Sequence, residues 1–110
     1  SLVVVVTTAS HRILILADAP AERQQSLRGE VSAIDVVVAG HHGARDQSRE
    51  LAEDLKPSVS LFSVGKNSYG HPTREALDIW HAPIQARTDL CGEIVLTATQ
   101  VVTGCRTDVE

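Results

Sequence analysis

Apolar residues along this chain fall into short dense runs, separated by polar stretches that carry Gly or Pro. Leu2 to Thr7 and Arg12 to Leu16 are two β-rich runs divided by Thr8-Ala9-Ser10-His11, the spacing of a tight antiparallel hairpin. Ile34 to Ala39 is nearly all apolar, as a strand covered on both faces should be, and Val59 to Val64 reads as the next strand. Between them the spacing changes to that of helices. Pro20 to Arg28 is expected to be helical, with Pro20 tolerated in the first turn and Gly29 as the stop. Ser48 to Leu55 places Leu51 and Leu55 one turn apart and is ended by Pro57. Thr73 to Trp80 is a third helix, capped near Pro72 or Thr73, with Leu77 and Trp80 on its buried face.

Strands alternating with helices through short links predict a parallel sheet with right-handed crossovers, hence an α/β fold. The remainder differs. Ile84 to Thr88, Glu93 to Thr97 and Gln100 to Thr103 have no helices between them and read as short antiparallel additions. At 110 residues the chain is expected to be one domain, spanning 1–110. Ser1 leads straight into Leu2 and a run of valines without a cap, which gives the expectation of a piece of something longer.

Composition narrows the function. With one Phe, one Tyr and one Trp, the core must come from Val, Leu, Ile and Ala, and a base-stacking platform for single strands is disfavoured. A net charge of -4 gives no electrostatic footprint for nucleic acid, so a polyanionic substrate would have to be held by metals or by protein outside the chain. No stretch approaches the ~20 apolar residues of a membrane span.

Three polar stretches each follow a strand: Ala17-Asp18, Gly40-His41-His42-Gly43, and Asn67-Ser68-Tyr69-Gly70-His71-Pro72. Loops leaving the carboxyl ends of neighbouring parallel strands converge on one rim, where ligands bind in open α/β sheets. A carboxylate and imidazoles at one rim are suitable ligands for a divalent metal. Gly40 and Gly43 let the backbone approach a ligand closely, and an imidazole can touch a phosphate oxygen or protonate a leaving oxygen. Singly, Asp18 is an ordinary helix-start residue, His71 a simple cap and His11 an exposed turn residue; the repetition at three strand ends is what points to a site. Cys91 and Cys105 lie equidistant from a hairpin centre near Ala98. They read either as a cross-strand disulfide, which implies an oxidising compartment, or as two buried thiols.

The runs Leu14 to Asp18, Asp35 to Ala44 and Lys56 to Pro72, with the Arg87 to Gly92 turn, resemble the metallo-β-lactamase-like domain at the carboxyl end of ComEC proteins, which form the bacterial competence DNA-uptake channel. The resemblance implies the second half of an αββα sandwich, lacking the His-x-His-x-Asp-His loop of the first half, with a sheet face that expects a partner sheet. It implies a divalent metal, Zn or Mn, one or two ions in the complete domain. Asp18 and His71 then resemble metal ligands, with Asp18 bridging. His41 and His42 resemble the catalytic loop, and Gly43, Lys66 and Asn67 fall where substrate is bound. Implied partners are the missing half of the domain, the multi-pass membrane channel and DNA, with this domain on the extracytoplasmic side of the cell membrane. The implied activity is metal-assisted phosphodiester hydrolysis by the parent, with the isolated piece inactive; a non-catalytic module of the same channel and a free-standing secreted metallohydrolase are the alternatives. The chain departs from the family pattern in having Ala17 where Gly is usual and Ala44 where Ser is usual.

Overall fold

The computed structural model describes residues 2–65, 67–68, 70–97 and 101–103. Its main sheet has five strands in the order β1 (Val4–Thr7), β2 (Arg12–Ile15), β3 (Val36–Val38), β4 (Val59–Phe62) and β5 (Ile84–Arg87). β1 is antiparallel to β2, as the hairpin spacing requires, and β2 to β5 run parallel. Helices α1 (Ala21–Gln25), α2 (Arg49–Leu55) and α3 (Arg74–Ile79) are the crossovers. A two-stranded antiparallel pair, β6 (Ile94–Leu96) and β7 (Val101–Thr103), follows a short helix α4 (Thr88–Cys91).

Two readings from the sequence are corrected. β5 is parallel to β4, because α3 returns the chain to the starting edge of the sheet before residue 84. A helical turn, α4, also separates β5 from the last hairpin. Helix ends are read closely: the Ser48 hydroxyl accepts from the Leu51 amide and the Thr73 hydroxyl from the Ala76 amide, each satisfying an otherwise orphaned donor. α1 is shorter than its spacing suggests.

Strand order that advances steadily from β2 to β5 through right-handed crossovers puts every crossover helix on one face of the sheet. That face carries Val5, Leu14, Val37, Ser60 and Gln85 in register, and its core joins Leu14, Val37 and Phe62 to Leu27, Leu51, Ala76 and Trp80. The opposite face is built of two cross-sheet rows, Val4-Ile15-Val38-Leu61-Ala86 and Val6-Ile13-Val36-Val59-Ile84. Every member is apolar. Val4, Val6 and Ile84 are exposed, at 38%, 38% and 45%, so this face is apolar but only partly covered.

At the end of β5, Arg87 donates from Nε and Nη2 to the two oxygens of Asp89, at 3.0 and 2.8 Å. These hydrogen bonds hold the Asp89 carboxyl below its ordinary range, against a smaller opposing effect of burial. A carboxyl depressed in the folded state contributes stability that is present above the unfolded value, and loses it as pH falls through the folded one. Asp89→Asn should therefore flatten the acid limb of the stability curve below about pH 4. Urea melts at a series of acidic pH values measure this; superimposable acid limbs for the two proteins would reject it.

Candidate functional site

Asp18 lies just past the end of β2, in a turn where the Ala19 amide donates to the Leu16 carbonyl at 2.9 Å. Ala17 in that turn has φ +54°, a left-handed backbone that favours glycine and costs an L-residue about 1 kcal/mol or more. Gly at this position in the resembled pattern has the same geometric sense. The Asp18 side chain is exposed and free to face a ligand.

The turn from Gly40 to Gly43 leaves β3 in an unusual conformation. His41 (φ 49°, ψ 46°) and His42 (φ 56°, ψ 25°) are successive left-handed residues, each carrying on the order of 1–2 kcal/mol of strain. The His41 amide donates to the Ala17 carbonyl, tying this turn to the one bearing Asp18. His42 Nδ1 lies 2.7 Å from the Ser63 carbonyl, beyond β4. A carbonyl only accepts, so Nδ1 carries the proton, and in the neutral ring Nε2 is left with a free lone pair.

The third loop is drawn in by backbone contacts. The Thr73 amide donates to the Gly43 carbonyl at 2.8 Å, and its hydroxyl to the same oxygen at 3.3 Å. Gly43 has φ +85° and sits against Pro72 so closely that any Cβ would collide. Asn67 spans the loop: its Nδ2 donates to the carbonyls of Gly65 and His71, both at 2.9 Å, and its Oδ1 accepts from the His71 amide at 3.1 Å. Gly43 and Asn67, expected to bind substrate, thus have visible work in building the rim. Lys66 lies outside the described residues.

Asp18, His41 and His42 line one open cleft of about 590 Å³, whose floor continues into the partly covered sheet face through Ile15 and Val38. The His41 ring centroid is 6.4 Å from that of His42 and 6.2 Å from that of His71. Asp18, His41 and His42 thus share one cleft, and the His71 ring stands beside that of His41 without lining the cleft. The rim does not close around an ion. Among the described residues no three His, Cys, Asp or Glu groups stand close enough to hold a metal, whereas a catalytic zinc takes three protein ligands. By itself, this donor set does not fit the divalent metal the sequence leads one to expect.

Two residues that sequence reasoning passed over, Gln24 and Gln47, are buried behind the rim. The available signal was a glutamine on the inward side of a short helix, three residues before Leu27. Cys91 is buried at the end of α4 and is not a free thiol; Cys105 lies outside the described residues. No helix among the described residues is long and apolar enough to cross a membrane.

The chain is similar to Recombination protein 2 of Haemophilus influenzae. The two are 29% identical over 83 residues, covering 74% of this chain and 10% of that protein. The chain thus spans about a tenth of the length of the curated relative it matches. No family model matches, and no solved structure does.

Proposed function

We propose that this chain is part of the metal-dependent hydrolase domain of a ComEC-type DNA-uptake protein, acting on the phosphodiester bonds of DNA during competence. What supports the proposal is that Asp18, His41 and His42 line one cleft with the His71 ring beside that of His41, in a chain similar over most of its length to Recombination protein 2. The partly covered apolar face supports it too. A second sheet laid there would cover Val4, Val6 and Ile84 and would bring further groups to the open side of the cleft, which Ile15 and Val38 floor. A divalent metal, Zn or Mn, would take its remaining ligands from that added part and, when bound, would supply a Lewis acid for hydrolysis. The parent would be a multi-pass membrane protein, with this domain on its extracytoplasmic side.

Within this reading the chain's own residues have distinct work. Asp18, exposed at the mouth of the cleft, would supply a ligand atom to a metal held jointly with the added part, as would His71, whose ring stands 6.2 Å from that of His41. His42, with its ring orientation fixed by the Ser63 carbonyl, presents Nε2 as a base when neutral and as a proton donor when charged. Its N–H to carbonyl bond is the arrangement that orients working imidazoles in many sites. His41, in edge contact with His71, helps position the phosphate.

The test uses the parent protein's complete extra-membrane domain and linear DNA. Hydrolysis should require a divalent metal, be abolished by a chelator, and fall roughly 100-fold or more in Asp18→Ala and His42→Ala. The isolated 110-residue chain should cleave nothing. Chelator-resistant cleavage, or full activity in both variants, would sink the proposal. A folded, inactive parent would favour a non-catalytic module of the same channel.

A further inference from the structure

We propose that Gln47, coupled to Gln24, is a positioning residue that holds the paired histidines in their strained conformation and locks them to the turn bearing Asp18. The inference rests on the reading of that rim as a hydrolase site. Gln47 Nε2 donates to the Gly40 carbonyl at 2.7 Å and to the Ala44 carbonyl at 2.8 Å, the two residues that bracket His41-His42-Gly43. One amide group therefore grips both ends of the turn.

Its oxygen is engaged as well. Gln47 Oε1 accepts from Trp80 Nε1 at 3.0 Å and from Gln24 Nε2 at 3.1 Å. Gln24 Nε2 also donates to the Ala19 carbonyl at 2.8 Å, one residue past Asp18, and its Oε1 accepts from the Ser48 amide at 2.9 Å. Gln24 and Gln47 are buried, at 0% and 6% exposure, and among the described residues no buried side-chain polar atom lacks a partner. A network satisfied at every member in a low-dielectric interior is rigid, and removing a member leaves buried carbonyls without donors.

The need for such a clamp comes from the backbone. Two successive non-glycine residues at positive φ persist only where the surroundings over-determine them. The grip on Gly40 and Ala44 is the contact placed to do so. Gly40 itself admits no side chain, because a Cβ there would stand 2.7 Å from Gln24 Nε2 and 2.9 Å from the Ala19 carbonyl. Gln24 therefore reaches the turn only over a glycine. The same chain of bonds reinforces, from the buried side, a spacing between Asp18 and the histidines that the β2–β3 pairing and the bond from the His41 amide to the Ala17 carbonyl set first.

The test reads the purified 110-residue chain by NMR, at a pH where the histidine rings are neutral. The unsubstituted chain should show His42 as the Nδ1–H tautomer and slow exchange for the His41 and Ala44 amides. In Gln47→Met, which keeps the volume and loses the bonds, His42 should move towards the Nε2–H tautomer that a free imidazole prefers. Exchange at His41 and Ala44 should rise roughly tenfold or more, while amides of β2 to β4 keep their protection. Gln24→Met leaves the grip on the turn in place, so it should keep the His42 signature and speed exchange at the Ser48 amide, whose acceptor is the side-chain carbonyl oxygen of Gln24. Should Gln47→Met fail to fold, Gln47→Glu, which retains the accepted bonds but loses the paired donors, reads the same signals. A folded variant at residue 47 with unchanged tautomer and unchanged loop exchange overturns the clamp. Failure of the hydrolase reading would appear differently, as an inactive parent domain with these signals behaving as expected.

Discussion

Gly43→Ala should lose on the order of 3–5 kcal/mol of stability, enough to leave a chain of this size partly unfolded at room temperature. Two effects add. A Cβ at residue 43 would fall 2.5 Å from Pro72 Cβ, 2.8 Å from Pro72 Cα and 2.9 Å from Phe62 Cδ2, with backbone among the obstructing atoms. Backbone cannot move aside as the tip of a long side chain can. The φ of +85° adds the strain of a left-handed L-residue. Gly29 isolates the second effect, since its φ is +81° and nothing lies within 4 Å of where a Cβ would stand. Gly29→Ala should therefore cost only about 1 kcal/mol. Urea denaturation of the three proteins provides the comparison, and equal losses for the two variants would show that close approach to Pro72 has no weight.

Trp80→Ala should cost a similar amount, about 3–5 kcal/mol, and for a different reason. Trp80 is the largest fully buried side chain, at 0% exposure, and it fills the core between α3 and the sheet. Truncation removes that contact area and opens a cavity. Trp80→Phe keeps most of the area and deletes the Nε1 donor to Gln47, whose oxygen still accepts from Gln24. Its cost should be smaller, about 1–2 kcal/mol. If Phe proved as damaging as Ala, the indole hydrogen bond and not the ring would dominate, and the packing account would be wrong.

These two positions show where sequence reasoning reached and where it stopped. Glycine flanking a histidine pair suggested close approach to a ligand. The close approach in the fold is to Pro72, from a loop about thirty residues later, which no local pattern encodes. Trp80 was legible as a buried helix residue because an apolar side chain at helical spacing has one place to go. Its hydrogen bond was not, because Gln47 lies in the loop before α2, far away in the chain. Asn67 likewise looked like a ligand-contacting residue, and the structure shows its amide spanning Gly65 and His71.

What the sequence settles alone is local. Hydrophobic spacing, the helix starts near Ser48 and near Pro72 or Thr73, and the punctuation by Gly and Pro mark the strands and helices, and the three polar stretches after strands mark the rim. These depend on interactions within a few residues. Only the tertiary structure decides the direction of β5, the partly covered apolar face, the fixed tautomer of His42 and the glutamine grip on the strained turn. The first three depend on bonds or packing between residues some twenty or more apart in the chain, or on the net course of a crossover. The grip itself is local, but the Gln24 and Trp80 bonds that hold Gln47 in place are not, and the free energy of such contacts exists only once the chain has closed on itself.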